Sequence, residues 1–424
     1  MSQARAVAWD RALDELRAEP SVAAAEDHLR VDDERTLATQ IELSEIAAPP
    51  FQEEARGRRM AGLMREAGLS AVRTDEVGNV LGWWAPREDD APSPASAFVL
   101  SAHLDTVFPE GTDVAVTRKG DVLRGPGISD DARGLATLLT LARALRSARV
   151  GAMARPLLFV ATVGEEGVGD LRGVKYLFGK SGAARGAAGF VSLDGAGLDR
   201  IVARGLGSRR FRIEAVGHGG HSWVDWGAPN PIHALGSIVA RLTEIALPRA
   251  PVATLTIARW GGGTSINAIP QMAWLEVDTR SESDEELADL EAEIHRVVAT
   301  GAAGGTGASD VAEEGRVAPA TASPGTDGLQ IRVRSIGRRP GGATPVESPL
   351  VQAAFAATRA LDRRPEIALS STDANIPMAL GIPAITLGCG GRAGKAHTTA
   401  EWYRNVPGAE GPIRALHTVL LAAR

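Results

Sequence analysis

The stretch LLFVATVGEEG, residues 157–167, indicates the fold and raises a question about charge. Its first part is an apolar run of strand length, which is typical of a β-strand buried on both faces. Two carboxylates, Glu165 and Glu166, stand side by side where this strand ends. Neighbouring carboxylates repel each other and raise each other's pKa unless a positive charge lies between them. We therefore expect a positive charge at the end of this strand.

Strand and helix patterns alternate on both sides of this stretch. Apolar runs at residues 96–107 and 188–195 predict further strands, and a helical pattern covers residues 134–148. Such alternation predicts an α/β domain with a mostly parallel central sheet flanked by helices. The pattern spans residues 1–205 and resumes over residues 341–424, so we expect one discontinuous domain.

The segment between these two parts, residues 206–340, has a different pattern. Four stretches alternate apolar and polar residues like half-exposed antiparallel strands, and two helical stretches accompany them. We expect an inserted α+β domain with a four-stranded antiparallel sheet and two helices. Within it, residues 301–328 are rich in Gly, Ala, Ser and Pro, and this composition predicts a mobile loop.

The overall composition excludes several classes of protein. The chain has 424 residues, 44% of them hydrophobic, and a formal net charge of -6, so nothing favours nucleic acid or an anionic membrane as a partner. The single cysteine, Cys389, excludes an intramolecular disulfide and an all-thiolate metal site, and we interpret it as a packing residue. No apolar run is long enough to cross a bilayer, and the N-terminus lacks a signal-peptide pattern. We therefore expect a cytoplasmic protein that would bind any metal through His, Asp and Glu.

Acidic and histidine residues recur where the predicted strands end, which is where ligand groups collect in open α/β sheets. In chain order they are His103, Asp105, Asp130, Asp131, Glu165, Glu166, Asp194 and His397. Taken singly, each is more typical of a turn or surface residue. Taken together in one cleft, so many carboxylates would repel each other strongly without bound cations. Oxygen and imidazole ligands suit a pair of zinc, manganese or cobalt ions.

The order of these motifs resembles the M20 family of metallopeptidases. The motifs are H-x-D at residues 103–105, G-x-G-x-x-D-D at 125–131, G-E-E-G at 164–167, a strand-end Asp194, and A-H-T at 396–398. The resemblance covers most of the chain, including the insert. It implies a catalytic domain that carries two divalent metal ions, with zinc preferred and manganese or cobalt as alternatives. It also implies that the insert is a lid through which two subunits form a homodimer.

The resemblance assigns a metal-binding role to five residues. Asp130 would bridge both ions. His103 and Asp194 would complete the protein ligands of one ion, and Glu166 and His397 those of the other.

Two further strand-end residues have implied catalytic roles. Asp105 would hydrogen-bond His103 and fix its tautomer. Glu165 would be the general base that activates a water between the ions and returns the proton to the leaving nitrogen. Family members often have a cis peptide after the bridging aspartate, here between Asp130 and Asp131.

The insert carries the implied substrate-binding residues. His221, with His218 as the alternative, would act across the subunit boundary and donate a hydrogen bond to the tetrahedral oxyanion. Asn267, in an N-x-x-P turn, is a candidate substrate ligand, and Arg280 would bind a substrate carboxylate by a two-pronged contact. The other histidines are interpreted as structural or solvated: His28, His233, His295 and His417.

The sequence thus predicts a metal-dependent hydrolase that cleaves amide bonds of short peptides, of the di- or tripeptide aminopeptidase type. An Asp at position 194 tends to accompany aminopeptidases in this family, and SSTDAN, residues 370–375, resembles its tripeptidase branch. An N-acyl-amino-acid deacylase or a carboxypeptidase of the same fold stays open as the alternative. A binding protein without catalysis is disfavoured because Glu165 accompanies all five ligands. A serine hydrolase is disfavoured because the chain has no G-x-S-x-G motif.

Overall fold

The computed structural model describes residues 3–84, 97–151, 155–303, 311–313 and 328–424. The chain divides into two compact units. The first combines Met1–Gly205 with Gly342–Arg424, and the second spans Leu206–Gly341. Among the described residues, no helix is both long enough and apolar enough to cross a membrane.

The first unit is built on a nine-stranded mixed sheet. In spatial order its strands are β1 (Ser70–Thr74), β2 (Val80–Trp84), β6 (Leu157–Thr162), β3 (Phe98–His103), β7 (Gly189–Leu193), β18 (Ala384–Leu387), β8 (Arg200–Gly205) and β16 (Gly342–Ala343), and β17 (Glu366–Ser370) also pairs with β8. The four central strands β6, β3, β7 and β18 are parallel to their neighbours within this group. Antiparallel pairs, such as β1 with β2, lie outside this parallel centre. The α/β prediction is therefore confirmed, with the parallel pairing concentrated in the centre.

The apolar run that precedes Glu165 and Glu166 is explained by burial on both faces of this sheet. Every residue of β6 is buried. Leu157, Phe159 and Ala161 pack into the larger of the two cores that the sheet separates. Leu158 and Val160 face the opposite way and pack into the smaller core. Alternate residues of a strand point to opposite faces, so a strand between two helical layers must be apolar throughout.

Nine α-helices belong to the described part of the first unit. They are α1 (Gln3–Arg17), α2 (Pro20–Val31), α3 (Asp33–Ser44), α4 (Glu54–Glu66), α5 (Ala132–Ser147), α6 (Arg172–Phe178), α9 (Pro349–Arg359), α10 (Asn375–Ala379) and α11 (Glu410–Ala422). Pro20 begins α2, where a missing backbone N–H costs nothing, and this proline follows the end of α1. Helices α6 and α10 contribute to the smaller core, and the N-terminal helices pack with α5, α9 and α11 in the larger one.

A small antiparallel sheet joins two loops of the first unit. Its strands, in spatial order, are β19 (Arg392–Gly394), β20 (Trp402–Arg404), β5 (Val122–Arg124) and β4 (Thr117–Lys119). The loop after β5 holds Asp130, and the loop between β19 and β20 holds His397. The pairing of β20 with β5 therefore links two loops that are far apart in sequence.

The second unit has the predicted antiparallel sheet and two helices. The sheet order is β11 (Ala253–Gly262), β13 (Met272–Ser281), β9 (Gly207–Val216) and β15 (Gln330–Arg339), with the short β14 (Val311–Glu313) parallel to β15 at the edge. The helices are α7 (Pro231–Leu242) and α8 (Asp284–Ala303), and a two-stranded ribbon pairs β10 (Gly220–His221) with β12 (Ala268–Ile269). Inward-facing residues such as Phe211, Ile213 and Leu275 form a core with residues of both helices.

The segment predicted to be a mobile loop, residues 301–328, lies mostly outside the described residues. In its described part, α8 continues to Ala303 and residues 311–313 form β14. The additional strand β14 was not expected, because three residues are too few for a strand pattern to stand out in a small-residue segment.

Cys389 is buried in the larger core of the first unit. Burial raises the pKa of its thiol to about 12, so the nucleophilic thiolate form is scarce at neutral pH. The prediction of a packing residue is consistent with this environment.

Candidate metal centre

The strand-end residues of the first unit converge because three neighbouring strands are parallel. His103 is the last residue of β3 and lies opposite Thr162, the last residue of β6. Glu165 and Glu166 follow β6, and Asp194 follows β7 on the other side of β3. The carboxyl ends of parallel neighbours meet at one edge of a sheet, so these side chains share that edge.

Asp130 lies between the two histidines of the predicted ligand set. Its Oδ1 is 3.0 Å from Nε2 of His103, and its Oδ2 is 3.1 Å from Nε2 of His397. The same Nε2 atom of His397 is 2.9 Å from Oε1 of Glu166. The peptide bond between Asp130 and Asp131 is cis, as expected. Four of the five predicted ligands thus form one continuous chain of contacts.

The fifth predicted ligand, Asp194, belongs to an overlapping group. His103, Asp130 and Glu166 can offer ligand atoms that all lie within 4.8 Å of one another, and so can His103, Asp131 and Asp194. His103 is common to both groups. Two imidazoles and several carboxylates at this spacing are a donor set that suits zinc-type divalent ions. The residues present therefore fit the two metal ions that the sequence predicts.

Asp131 has a structural role that the sequence did not reveal. Its buried carboxylate accepts hydrogen bonds from the backbone N–H groups of His103 at 3.0 Å, Gly134 at 3.0 Å and Gly195 at 3.4 Å. The bond from Gly134 caps the N-terminus of α5. Asp131 thus fixes the end of β3, the start of α5 and the turn after Asp194 with one carboxylate.

The electrostatics of the cluster indicate a site that requires positive charge. Hydrogen bonds to Asp130 and Glu166 raise the pKa of His397 to about 10. Burial, reinforced by the negative charge of Asp130, raises the pKa of Asp194 to about 7. Burial would also raise the pKa of Asp130, but hydrogen bonds from His103 and His397 outweigh it and hold that pKa well below its usual range. Protonated imidazoles compensate the carboxylates in the absence of a cation, and a bound metal ion would displace those protons.

A buried arginine from outside the motifs adds a further positive charge. Arg56 on α4 is fully buried and donates hydrogen bonds to three backbone oxygens, including that of Leu104 at 2.7 Å. Burial lowers its pKa to about 10, against the opposing influence of Asp105 and Asp131. Arg56 lies outside every motif and reaches the site through tertiary packing. The motifs alone therefore do not reveal this positive charge.

Asp105 makes different contacts from those expected. Its carboxylate accepts hydrogen bonds from the backbone N–H groups of Glu165 at 2.9 Å and Glu166 at 2.8 Å. Nδ1 of His103 lies 3.0 Å from the backbone oxygen of Asp105, whereas the nearest carboxylate oxygen is 3.7 Å away. The expected hydrogen bond between the Asp105 carboxylate and His103 is therefore replaced by a backbone contact. The carboxylate instead fixes the segment that carries both glutamates.

The second unit brings His221 and Asn267 together. Strands β10 and β12 pair, and the backbone oxygen of Asn267 accepts the N–H of Ser222 at 3.0 Å. Nδ1 of His221 accepts hydrogen bonds from the backbone N–H groups of Trp223 at 3.1 Å and Val224 at 3.3 Å. In the neutral ring this leaves the proton on Nε2, so His221 is an exposed hydrogen-bond donor.

Arg280 lies at the opposite end of the sheet of the second unit. It is paired in β13 with Ser208, near the point where the chain enters this unit. The ribbon with His221 and Asn267 adjoins the other end of β13, about 27 Å away at the usual rise per strand residue. Arg280 also contacts Asp278, with Nε 2.7 Å from Oδ2. The structure therefore does not bring all three predicted substrate ligands of one chain together.

Comparisons with known proteins agree with this architecture. The model of "Peptidase family M20/M25/M40" matches residues 99–421. A Mycobacterium tuberculosis protein described as "Putative succinyl-diaminopimelate desuccinylase DapE" is 26% identical over 311 residues, which cover 70% of this chain and 75% of that protein.

Two solved structures share the fold over nearly the whole chain. A tripeptidase from Staphylococcus aureus has a TM-score of 0.70 at 20% identity and covers 92% of this chain and 99% of its own. A protein from Bacillus subtilis, described as a dinuclear metal-binding peptidase of family M20, has a TM-score of 0.63 at 18% identity. It covers 93% of this chain and 100% of its own. The chain therefore belongs to peptidase family M20/M25/M40 and is a hydrolase that acts on peptide or amide bonds.

Proposed function

We propose that this protein is a two-metal aminopeptidase-type hydrolase that cleaves di- or tripeptides. The observation that carries the proposal is the position of Asp130, which contacts His103 with one carboxylate oxygen and His397 with the other. A carboxylate with one imidazole at each oxygen is arranged as a bridge between two ligand sets. Zinc is the preferred metal, with manganese or cobalt as alternatives.

Five residues would hold the two ions in this proposal: His103, Asp130, Glu166, Asp194 and His397. Asp130 would be shared, with His103 and Asp194 on one side and Glu166 and His397 on the other. When bound, divalent ions polarise a substrate carbonyl and lower the pKa of a water to near neutrality. Asp131 does not join this set in our proposal, because three backbone N–H groups already occupy its carboxylate.

Glu165 is the general base of the proposed reaction. It takes a proton from the attacking water and delivers that proton to the leaving nitrogen. Its side chain is buried, and its backbone N–H is held by Asp105, which also holds the N–H of the adjacent ligand Glu166. One carboxylate thus fixes base and ligand relative to each other, which is the kind of pre-organisation that proton transfer requires.

His221 donates a hydrogen bond to the oxyanion from a partner subunit in this proposal. The backbone contacts to its Nδ1 support the role, because they leave an exposed Nε2–H as the donor. They also favour His221 over His218. Asn267 lies beside His221 in the second unit, because its backbone oxygen accepts the N–H of Ser222. Asn267 would be a substrate ligand, and Arg280 would bind a substrate carboxylate by a two-pronged contact.

The peptide substrate is preferred over an N-acyl amino acid on two grounds. Asp194 stands where the resemblance associates Asp with aminopeptidases, and a tripeptidase is among the solved structures with this fold. The similarity to a protein named as a desuccinylase supports the alternative, a deacylase or carboxypeptidase of the same fold. The composition of the chain supports a cytoplasmic location.

A substrate panel separates these two functions. The zinc-loaded protein would be assayed with a dipeptide, a tripeptide and their N-acetylated forms, and with N-succinyl and N-acetyl amino acids. We expect cleavage of the free-amine peptides and at least a tenfold lower kcat/KM for every N-acylated compound, a difference of about 1.4 kcal/mol in transition-state binding. Preferential hydrolysis of the N-acyl amino acids would replace the aminopeptidase with the deacylase.

A further inference from the structure

A buried glutamate connects the Asp130 loop to the His397 loop. Glu401 follows His397 by four residues and has no exposed surface. Its Oε1 accepts hydrogen bonds from the backbone N–H of Ser129 at 2.8 Å, the Ser129 hydroxyl at 2.8 Å and the N–H of Asp130 at 3.0 Å. Its Oε2 accepts the N–H of Gly127 at 2.9 Å. All four donors belong to the loop that carries Asp130.

The backbone of Glu401 is tied to the same loop. Its carbonyl oxygen accepts the N–H of Gly125 at 3.1 Å, where that loop begins. The next residue, Trp402, pairs with Arg124 in the small antiparallel sheet. The two loops are therefore joined by strand pairing at their base and by the Glu401 carboxylate closer to Asp130.

We propose that Glu401 is a positioning residue that sets the geometry between Asp130 and His397. The proposal rests on the metal-binding role proposed above for these two residues. Glu401 touches neither ligand oxygen of Asp130 but holds its backbone N–H, while its own chain segment carries His397. Oδ2 of Asp130 lies 3.1 Å from Nε2 of His397. In this proposal the contact depends on the hydrogen bond from the Asp130 backbone to Glu401 and on the short chain segment that joins Glu401 to His397.

The chemistry of the site requires a carboxylate at position 401. An ionised carboxylate is an acceptor at both oxygens, and the four groups that contact those oxygens here are all donors. An amide of the same shape has a single acceptor oxygen and turns an NH₂ group toward at least one N–H of the loop. Glu401→Gln therefore preserves volume while it releases part of the loop.

Metal titration of the intact protein tests the proposal. The metal-free wild type and its Glu401→Gln variant would be titrated with zinc by calorimetry, and with cobalt while the visible spectrum of the bound ion is recorded. Residues that orient metal ligands change metal affinity by about 10- to 100-fold when mutated. We expect a loss of that size for at least one of the two ions, together with an altered cobalt spectrum.

Glu26→Gln is the matched control for the loss of a buried carboxylate. Glu26 is buried in the same unit and contacts His417 at 2.7 Å, in an N-terminal helix and away from the predicted ligands in sequence. We expect this variant to lose thermal stability but to keep wild-type zinc affinity and the wild-type cobalt spectrum. A Glu401→Gln protein that behaves in the same way as Glu26→Gln would refute the positioning role.

Ser129→Ala provides a second and milder test. It removes the hydroxyl contact at 2.8 Å but keeps the three backbone contacts, so we expect a smaller loss of metal affinity than in Glu401→Gln. If Glu401→Gln fails to fold, unchanged affinity and spectrum in Ser129→Ala overturn the proposal. A wild-type protein that binds no divalent ion would overturn the proposed function itself, which is a distinct result.

Discussion

Asp130 and His397 are 267 positions apart in the chain, yet Oδ2 of the aspartate lies 3.1 Å from Nε2 of the histidine. Two different loops bring them together, and the small antiparallel sheet aligns those loops. The other oxygen of Asp130 contacts His103 at the end of β3. The proposed metal centre therefore depends on the register of two separate sheets.

Metal binding should release protons and become tighter as the pH rises. Hydrogen bonds to Asp130 and Glu166 raise the pKa of His397 to about 10 in the metal-free protein, so its imidazole is protonated at pH 7. A protonated imidazole cannot bind a metal ion, and zinc must displace its proton. Calorimetry in two buffers with different ionisation enthalpies would measure this release. Zinc affinity that is constant between pH 6 and 8, without proton release, would contradict the prediction.

The two glutamates that follow β6 should respond differently to the same substitution. Glu165→Gln should retain both ions and lower kcat by about two to four orders of magnitude, because it removes only the general base. Glu166→Gln should instead lose affinity for one ion, since its Oε1 lies beside Nε2 of His397. Metal analysis and steady-state kinetics would be compared side by side. Identical metal content and identical rates in the two variants would refute the assignment.

Asp105→Asn should impair catalysis through the backbone of the glutamate pair. The carboxylate accepts N–H bonds from both Glu165 and Glu166, and an amide can accept at only one of its two positions. We expect kcat to fall by about 10- to 100-fold, as for other residues that orient a metal site, with little change in KM. Glu26→Gln is again the control, and it should retain wild-type kcat. The prediction fails if Asp105→Asn matches this control in kcat.

Mixed dimers should test whether His221 acts on the partner's substrate. Neither Glu165→Gln nor His221→Ala homodimers should turn over substrate at a substantial rate. In a mixed dimer, one site would combine an intact Glu165 with an intact His221 from the other chain. Activity should return to at most about half the wild-type rate per dimer if the two sites act independently. Mixed dimers that demonstrably form and yet stay inactive would exclude the shared site.

The sequence predicts the parts of the site that are encoded locally. A buried strand followed by a carboxylate or histidine is visible within about ten residues, which is why the pattern alone places His103, Glu166 and Asp194 at strand ends. Their roles as ligands were implied by the family resemblance. The four antiparallel strands of the second unit were equally predictable, because alternation reports one buried face.

The contacts that orient the site were not predictable in this way. Glu401 holds a loop 271 to 274 positions away, and Arg56 reaches Leu104 from a helix that the motifs do not include. The family resemblance assigned the Asp105 carboxylate to His103, but the backbone N–H groups of residues 165 and 166 occupy it instead. Arg280 was grouped with His221 by domain, although the length of β13 separates them. Such relationships depend on tertiary packing and strand register.

Metal content coupled to activity tests the central claim, that Asp130 bridges two ions required for hydrolysis. Chelator-treated protein would be refilled stepwise with zinc while bound metal and tripeptide hydrolysis are measured in the same samples. Two ions per chain should bind, and hydrolysis should be absent without metal and restored as the sites fill. Asp130→Asn should bind both ions more weakly, whereas Glu26→Gln should follow the wild-type curve. Full tripeptide hydrolysis by the metal-free protein would contradict the account.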